Sequence, residues 1–286
     1  MTISRYEVLQ KVVELGNFTR AAEQLNMTQS AVSHAIASLE KEFGYPLLHR
    51  NKQAEISRTA FADRILPHIQ QILKSEAIIK QELSIQNNQL EGTLKIGAFT
   101  SAASQILPTM LANLKKSYSG VKVILFEGTY GEIMDWIMNG TVDIGFIVDA
   151  DTNHRLNVIP VKKDELVLGL PKNHMLSQQK IIDLKKIAGM DFIMPKGPYQ
   201  TLVLENLTAH HVRPNIILEV LHCETIVNMV SQGIGITMGP ELFFKSHKNI
   251  EIRKVKQKKY RQIYLAFKEV TPIVTAFCLC NQLQHA

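Results

Sequence analysis

The chain has only three cysteines and one tryptophan in 286 residues. An odd, sparse cysteine count is not a disulfide framework and suits a reducing compartment. No apolar run approaches the roughly 20 residues that a membrane span needs. The opening MTISRYEVLQ has no basic end leading into an apolar run, so it does not read as a signal peptide. A cytoplasmic protein without membrane contact is expected. Nucleotide-binding glycine loops, a nucleophile elbow and a metal-ligand helix are missing too. No catalytic residues, metal or cofactor are therefore expected. The adjacent His210 and His211 would point to different faces of a helix, and Cys278 and Cys280 have no second pair to complete a zinc site. Cys223 reads as a small buried residue, with a redox switch as the alternative.

Hydrophobic residues make up 45% of the chain and charged ones 20%, an ordinary balance for a globular protein. The length allows a large core and about two domains. The formal net charge is +6, which favours an acidic partner, but the charge is unevenly placed. Residues 1–65 hold eight Lys/Arg against seven Asp/Glu, whereas residues 245–261 hold eight against one. The total charge therefore does not say where nucleic acid would bind, and the 245–261 run reads as a solvated surface that could also meet another subunit.

Near the start, GNFTRAAEQLNMTQSAVSHAIASLE places two threonines about one short helix apart. Thr19 and Thr28 each precede a helical pattern, where a hydroxyl can cap a free first-turn N–H for about 1 kcal/mol. Helices are expected over residues 20–25 and 29–43, with Gly44 as the stop. Met27 is spaced to staple onto Val32. In the second helix, Val32, Ala35, Ile36, Leu39 and Phe43 share one arc, and Gln29, Ser30, Ser33, His34, Ala37 and Lys41 share the opposite one. One face is core. The other is small, polar and able to approach base edges and phosphates in a major groove. An ordinary helical hairpin with a solvated face would show the same two arcs. LLHRNKQAEIS, which follows Pro46, adds a two-stranded wing with Arg50, Asn51 and Lys52 at its tip, basic residues suited to phosphate.

These segments resemble the winged helix-turn-helix of LysR-type transcriptional regulators. The resemblance rests on N-F-T-x-A-A-E-x-L, on T-Q-S-A-V-S, on I-x-x-L-E and on G-x-P-L-x-x-R, in order. Leu48, His34 and the pair Phe61-Ala62 depart from the family's usual phenylalanine, arginine and Ala-Gly. The implied fold is α/β: a winged helix-turn-helix over 1–58, a linker and dimerisation helix over 59–88, and a two-lobed, periplasmic-binding-protein-like effector domain over 89–286. Lobe I would take about 92–161 and 267–286, and lobe II about 162–266. The implied function is effector-modulated transcription regulation by a homodimer or homotetramer on double-stranded operator DNA with near-palindromic half-sites, with RNA polymerase as a further partner. The DNA contacts carried over are Thr19, Thr28, Gln29, Ser30, Ser33, His34, Arg50 and Lys52.

The residues beyond the head bear their own signals. Ala62, Ile65, Ile69, Ile72, Glu76, Ile79 and Leu83 alternate spacings of three and four, a coiled-coil-like seam with Pro67 inside it. A core helix of one domain would fit this pattern as well. NNQLEG marks a boundary, after which strands and helices alternate in βαβαβ order and imply a parallel sheet. In such sheets ligands sit beyond the carboxyl ends of strands, at helix starts. That puts Thr100, Ser101, Thr129, Pro195, His222, Cys223 and Thr225 at strand ends, which by the resemblance line the cleft between the two lobes, and hydroxyls at helix starts suit a small anion as the effector. Each hydroxyl could instead simply cap its helix. Ser101 is expected as a surface hydroxyl on the cleft rim. Two rival readings stand beside the leading one: a solute-binding or enzymatic α/β protein that its N-terminal helices dimerise, and a regulator switched by oxidation or by a protein partner.

Overall fold

A computed structural model describes residues 2–50, 56–86, 90–148, 156–197 and 199–283. It divides into two compact units, Met1–Gln89 and Leu90–Ala286. The first unit begins with α1 (Thr2–Leu15), α2 (Phe18–Gln24) and α3 (Gln29–Phe43). The short strands β1 (Leu48–Arg50) and β2 (Ile56–Arg58) pair antiparallel as the wing, and α4 (Ala60–Gln86) follows. The helix α1 was not foreseen from the sequence. Its Val8, Leu9 and Val12 form a narrow stripe that meets Ala21, Ala22, Val32, Ile36 and Leu39 in one core. Arg5 fastens α1 to α3 through Ser38 at 2.9 Å and Glu42 at 2.8 Å.

Local signals set the ends of these helices. Thr28 caps α3, its hydroxyl accepting from the Ala31 N–H at 3.2 Å. Gly44 closes α3 at φ 72°, a left-handed conformation that side-chain-bearing residues resist. The cap of α2 is Asn17, not Thr19: the Asn17 side chain accepts from the Arg20 N–H at 3.1 Å. Thr19 therefore lies inside the first turn, exposed. Met27 is exposed and lies outside the core cluster, so the expected staple onto Val32 does not contribute to it.

The two halves of α4 differ. Ala62, Leu66 and Ile69 are buried in the core of the head, whereas Ile72, Ile79 and Leu83 are 43%, 59% and 60% exposed. Thr59 starts the helix, accepting from the Ala62 N–H at 3.1 Å and donating to the Pro46 carbonyl at 2.9 Å.

The second unit opens with β3 (Gly92–Ala98), α5 (Thr100–Gln105), α6 (Leu107–Ser117), β4 (Val121–Glu127), α7 (Tyr130–Asn139) and β5 (Ile144–Val148). Strand β3 pairs in parallel with both β4 and β5, as the βαβαβ order requires. Between β3 and β4 the chain forms two helices rather than the single one that a βαβ unit needs, divided at Ile106 just ahead of the Leu107-Pro108 start of α6. Gly145 lets α7 lie close on β5; a Cβ there would stand 2.6 Å from the Ile137 side chain.

Next come β6 (Asn157–Leu170), β7 (Ile181–Ile182), β8 (Asp191–Pro195), α8 (Gln200–Ala209), β9 (Asn215–Val220), α9 (Cys223–Ser231), β10 (Thr237–Pro240) and α10 (Glu241–Phe244). The chain then forms β11 (Glu251–Val255), β12 (Tyr260–Phe267) and α11 (Pro272–Cys280). Strand β6 is common to both lobes. Its first half pairs with β12, which pairs in turn with β5, and its second half lies between β10 and β11. Two cores result. One is built on β3, β5, α6, α7 and α11, and includes β12 from Ile263 onward. The other is built on the second half of β6 with β8 and α8, with a second cluster under α9 and α10.

The basic run over residues 245–261 is not simply a solvated surface. Lys254, Lys256 and Lys258 are exposed, but β11 runs through the segment, Val255 is buried, and Arg261 is buried at 3% exposure. Arg261, Ile263 and Leu265 alternate along β12 with half-buried neighbours, so the arginine occupies an inward position of the strand.

Candidate DNA-reading helix and ligand cleft

Helix α3 separates its faces as the sequence pattern requires. Val32, Ile36 and Leu39 are buried, Gln29, Ser30 and His34 are exposed, and Ser33 is half-buried between the two arcs. The Thr28 hydroxyl that caps the helix also lies 3.0 Å from the Ser30 hydroxyl. The outward surface at this helix start thus combines small hydroxyls, an amide and an imidazole with first-turn N–H groups, all suited to base edges and phosphates. Arg50 ends β1 opposite Ile56, the pair of the wing next to its turn. Lys52 and the tip of the wing lie outside the described residues.

In the second unit the anticipated cleft residues have different fates. Ser101 is buried, so the expectation of a rim hydroxyl is corrected: its Oγ accepts from Arg261 Nη2 at 2.9 Å. Thr100 is exposed at the start of α5. Thr129 is exposed and closed into a capping box. Glu132 accepts from the Thr129 N–H and hydroxyl, both at 2.8 Å, and the Thr129 hydroxyl accepts from the Glu132 N–H at 3.4 Å. The two bonds that Glu132 accepts hold its carboxyl below its ordinary pKa. The start of α7 thus already has its own carboxylate. Pro195 is buried at the end of β8, and His222 and Thr225 are exposed at the start of α9.

Cys223, half-buried, donates to the Phe243 carbonyl at 3.3 Å and lies 3.8 Å from His247 Nε2. Burial, with the Glu224 carboxylate adding to it, pushes its thiol up to about 12. Burial likewise raises Cys278 to about 11 and moves Cys280 upward. His210 ends α8 with Nδ1 2.8 Å from the Asn206 carbonyl oxygen, and His211 turns away at φ 54°.

At the centre of the second unit lies a charged pair that sequence reasoning missed. Arg261 and Asp164 face each other in the β12–β6 register. Asp164 Oδ2 accepts from Arg261 Nε at 2.9 Å and from Nη2 at 2.6 Å. Asp164 Oδ1 accepts from the Leu242 N–H of α10 at 3.1 Å, and Arg261 Nη1 donates to the Tyr130 hydroxyl at 2.7 Å. One ion pair on the shared strands therefore bonds α5 and α7 of the first lobe and α10 of the second. The period-two alternation of YRQIYLAF puts Arg261 in phase with Ile263 and Leu265 and so signals an inward arginine, but no short-range pattern marks Asp164 as its partner.

A winged helix-turn-helix joined in one chain to a two-lobed α/β unit with a polar cluster between its lobes defines a DNA-binding regulator with a ligand-receiving domain. The family model described as "LysR substrate binding domain" matches residues 87–278, and that of the "Bacterial regulatory helix-turn-helix protein, lysR family" matches residues 3–63. The chain belongs to the LysR family of transcriptional regulators. It is 28% identical over 269 residues to the HTH-type transcriptional regulator YvbU of Bacillus subtilis, covering 93% of this chain and 91% of that one. It is 32% identical over 244 residues to the probable HTH-type transcriptional regulator LrrA of Synechococcus elongatus, covering 85% and 82%. A full-length, singly substituted OxyR of Pseudomonas aeruginosa superimposes with a TM-score of 0.74 at 20% identity, covering 100% of this chain and 98% of that one. The relatives are regulators, not enzymes. Among the described residues no helix is long and apolar enough to cross a membrane.

Proposed function

We propose that this LysR-type regulator reads operator DNA with Gln29, Ser30, Ser33 and His34, and that Thr19, Thr28, Arg50 and Lys52 fix its register on the phosphates. The observation that carries this reading is the outward arc of α3, set opposite the buried Val32, Ile36 and Leu39. Two copies pair through the exposed Ile72, Ile79 and Leu83 seam of α4, so two heads meet half-sites in a near-palindromic operator. A small-molecule effector binds between the lobes and shifts their arrangement by its differential affinity for the two states. Ser101 is its strongest contact among the sequence candidates, with Thr100, Pro195, His222, Cys223 and Thr225 around it. Thr129 acts on the effector only if Glu132 releases it. RNA polymerase is the further partner through which such a regulator acts in the cytoplasm.

The cysteine chemistry favours an effector over oxidation. Reactive sensor thiols have lowered pKa values, and all three cysteines here are raised. The test of the DNA reading is a gel-shift titration of Gln29→Ala. Specific binding should weaken by about 1–3 kcal/mol with relaxed preference at one base position. Arg50→Ala should weaken specific and scrambled DNA together and lower the salt slope. Equal losses of Gln29→Ala on cognate and scrambled duplexes would remove α3 as the reading surface.

A further inference from the structure

Two aromatic pairs, one from each lobe, converge on the Asp164–Arg261 cluster. In the first lobe Phe99 and Tyr130 meet edge to face at 4.9 Å, and the Arg261 guanidinium lies 5.2 Å from the Phe99 ring centre. In the second lobe Tyr199 and Phe243 meet edge to face at 5.1 Å. The pairs share one site. Leu242, next to Phe243, donates its N–H to Asp164, and α10 packs against α5. The Tyr199 phenol is raised first by burial and then by Cys223 and Tyr130, while Arg261 pulls it the other way.

The charge of this cluster is already balanced. Arg261 gives Nε and Nη2 to Asp164 and its other bonds to Ser101 and Tyr130. An incoming anion would meet a neutralised guanidinium with a carboxylate attached to it. What the cluster offers is hydroxyl groups. The Ser101 hydroxyl accepts from Arg261, so its own hydrogen is directed elsewhere, and a hydroxyl that accepts from a cation is a stronger donor.

We propose that the effector is a flat ring compound carrying one oxygen-acceptor group and at most one negative charge. Its ring lies against the aromatic pairs, and its acceptor takes the Ser101 hydroxyl. The inference rests on the reading that the cleft is the effector site, and it narrows the small anion expected from the sequence: a dicarboxylate or a phosphate brings more charge than the balanced pair can compensate.

The test is calorimetry and thermal shift on the full chain with benzamide, benzoate, succinate and inorganic phosphate at equal millimolar concentration. A ring probe should bind about tenfold or more tightly than succinate or phosphate, and Phe243→Leu should weaken it by about tenfold at unchanged circular dichroism. Phe243→Leu keeps an apolar side chain at a half-buried position, so folding is not what it perturbs; Ser101→Ala is the second variant. Succinate or phosphate binding more tightly than both ring probes, and lost in Ser101→Ala, overturns the ring inference and leaves the cleft reading standing. A ring probe that binds equally to wild type and both variants overturns the cleft reading and this inference with it. No binding by either ring probe overturns the ring inference.

Discussion

Replacing Arg261 by methionine tests whether the ion pair holds the effector unit together. The substitution keeps much of the side-chain volume and removes the donors that reach Asp164, Ser101 and Tyr130. Asp164, whose side chain is 1% exposed, would keep only the Leu242 N–H. Breaking one half of a buried pair costs about 3–5 kcal/mol, because the remaining charge stays buried without its partner. In a unit of this size each kcal/mol moves the midpoint by about 2–4 °C, so the unfolding transition of residues 90–286 should fall by about 6–20 °C. Differential scanning calorimetry of the full chain reads it. The double change Asp164→Leu with Arg261→Met removes both charges, and should recover most of the loss. A single variant within about 2 °C of wild type, or a double variant as damaged as the sum of its singles, would refute this account of the pair.

Two further outcomes follow from other parts of the chain. Ile79→Glu with Leu83→Glu should yield monomers in sedimentation and a large loss of operator affinity while the head stays folded, because both side chains are exposed; an unaltered dimer would remove α4 as the pairing helix. Ile69 is unsuitable for that experiment, since it lies in the core of the head. Alkylation by iodoacetamide at pH 8 should find Cys223 slow: a thiol raised to about 12 is thiolate in about 1 part in 10⁴, against about one in four for a free cysteine. Labelling of Cys223 at the rate of free cysteine would restore the oxidation reading.

The head was legible because its signals are local. Thr28, Gly44 and the three-four spacing of Val32, Ile36 and Leu39 fix α3 within fifteen residues, and capping, helix termination and amphipathicity all act over that distance. Asn17 and Thr19 show the limit of such reading: both can cap, and backbone geometry two residues apart decides between them. Thr129 shows a related ambiguity, since a hydroxyl at a helix start serves either a ligand or its own capping box, and here Glu132 three residues on takes it. The Arg261 cluster lay beyond local reading. Asp164 is 97 residues from Arg261 and Ser101 is 160 away, and the arginine's neighbours in sequence, KQKKY before and QIY after, read as ordinary strand or surface. The sequence by itself determined the family, the helix-turn-helix and the βαβαβ order that follows residue 90, because those depend on short-range pattern. Only the tertiary structure decided that the charge of this arginine is met inside the protein by Asp164, and that one lobe's serine and tyrosine and the other lobe's backbone close on the pair. The reason is the antiparallel register of β12 on β6, which sets Arg261 opposite Asp164 and is fixed by long-range pairing.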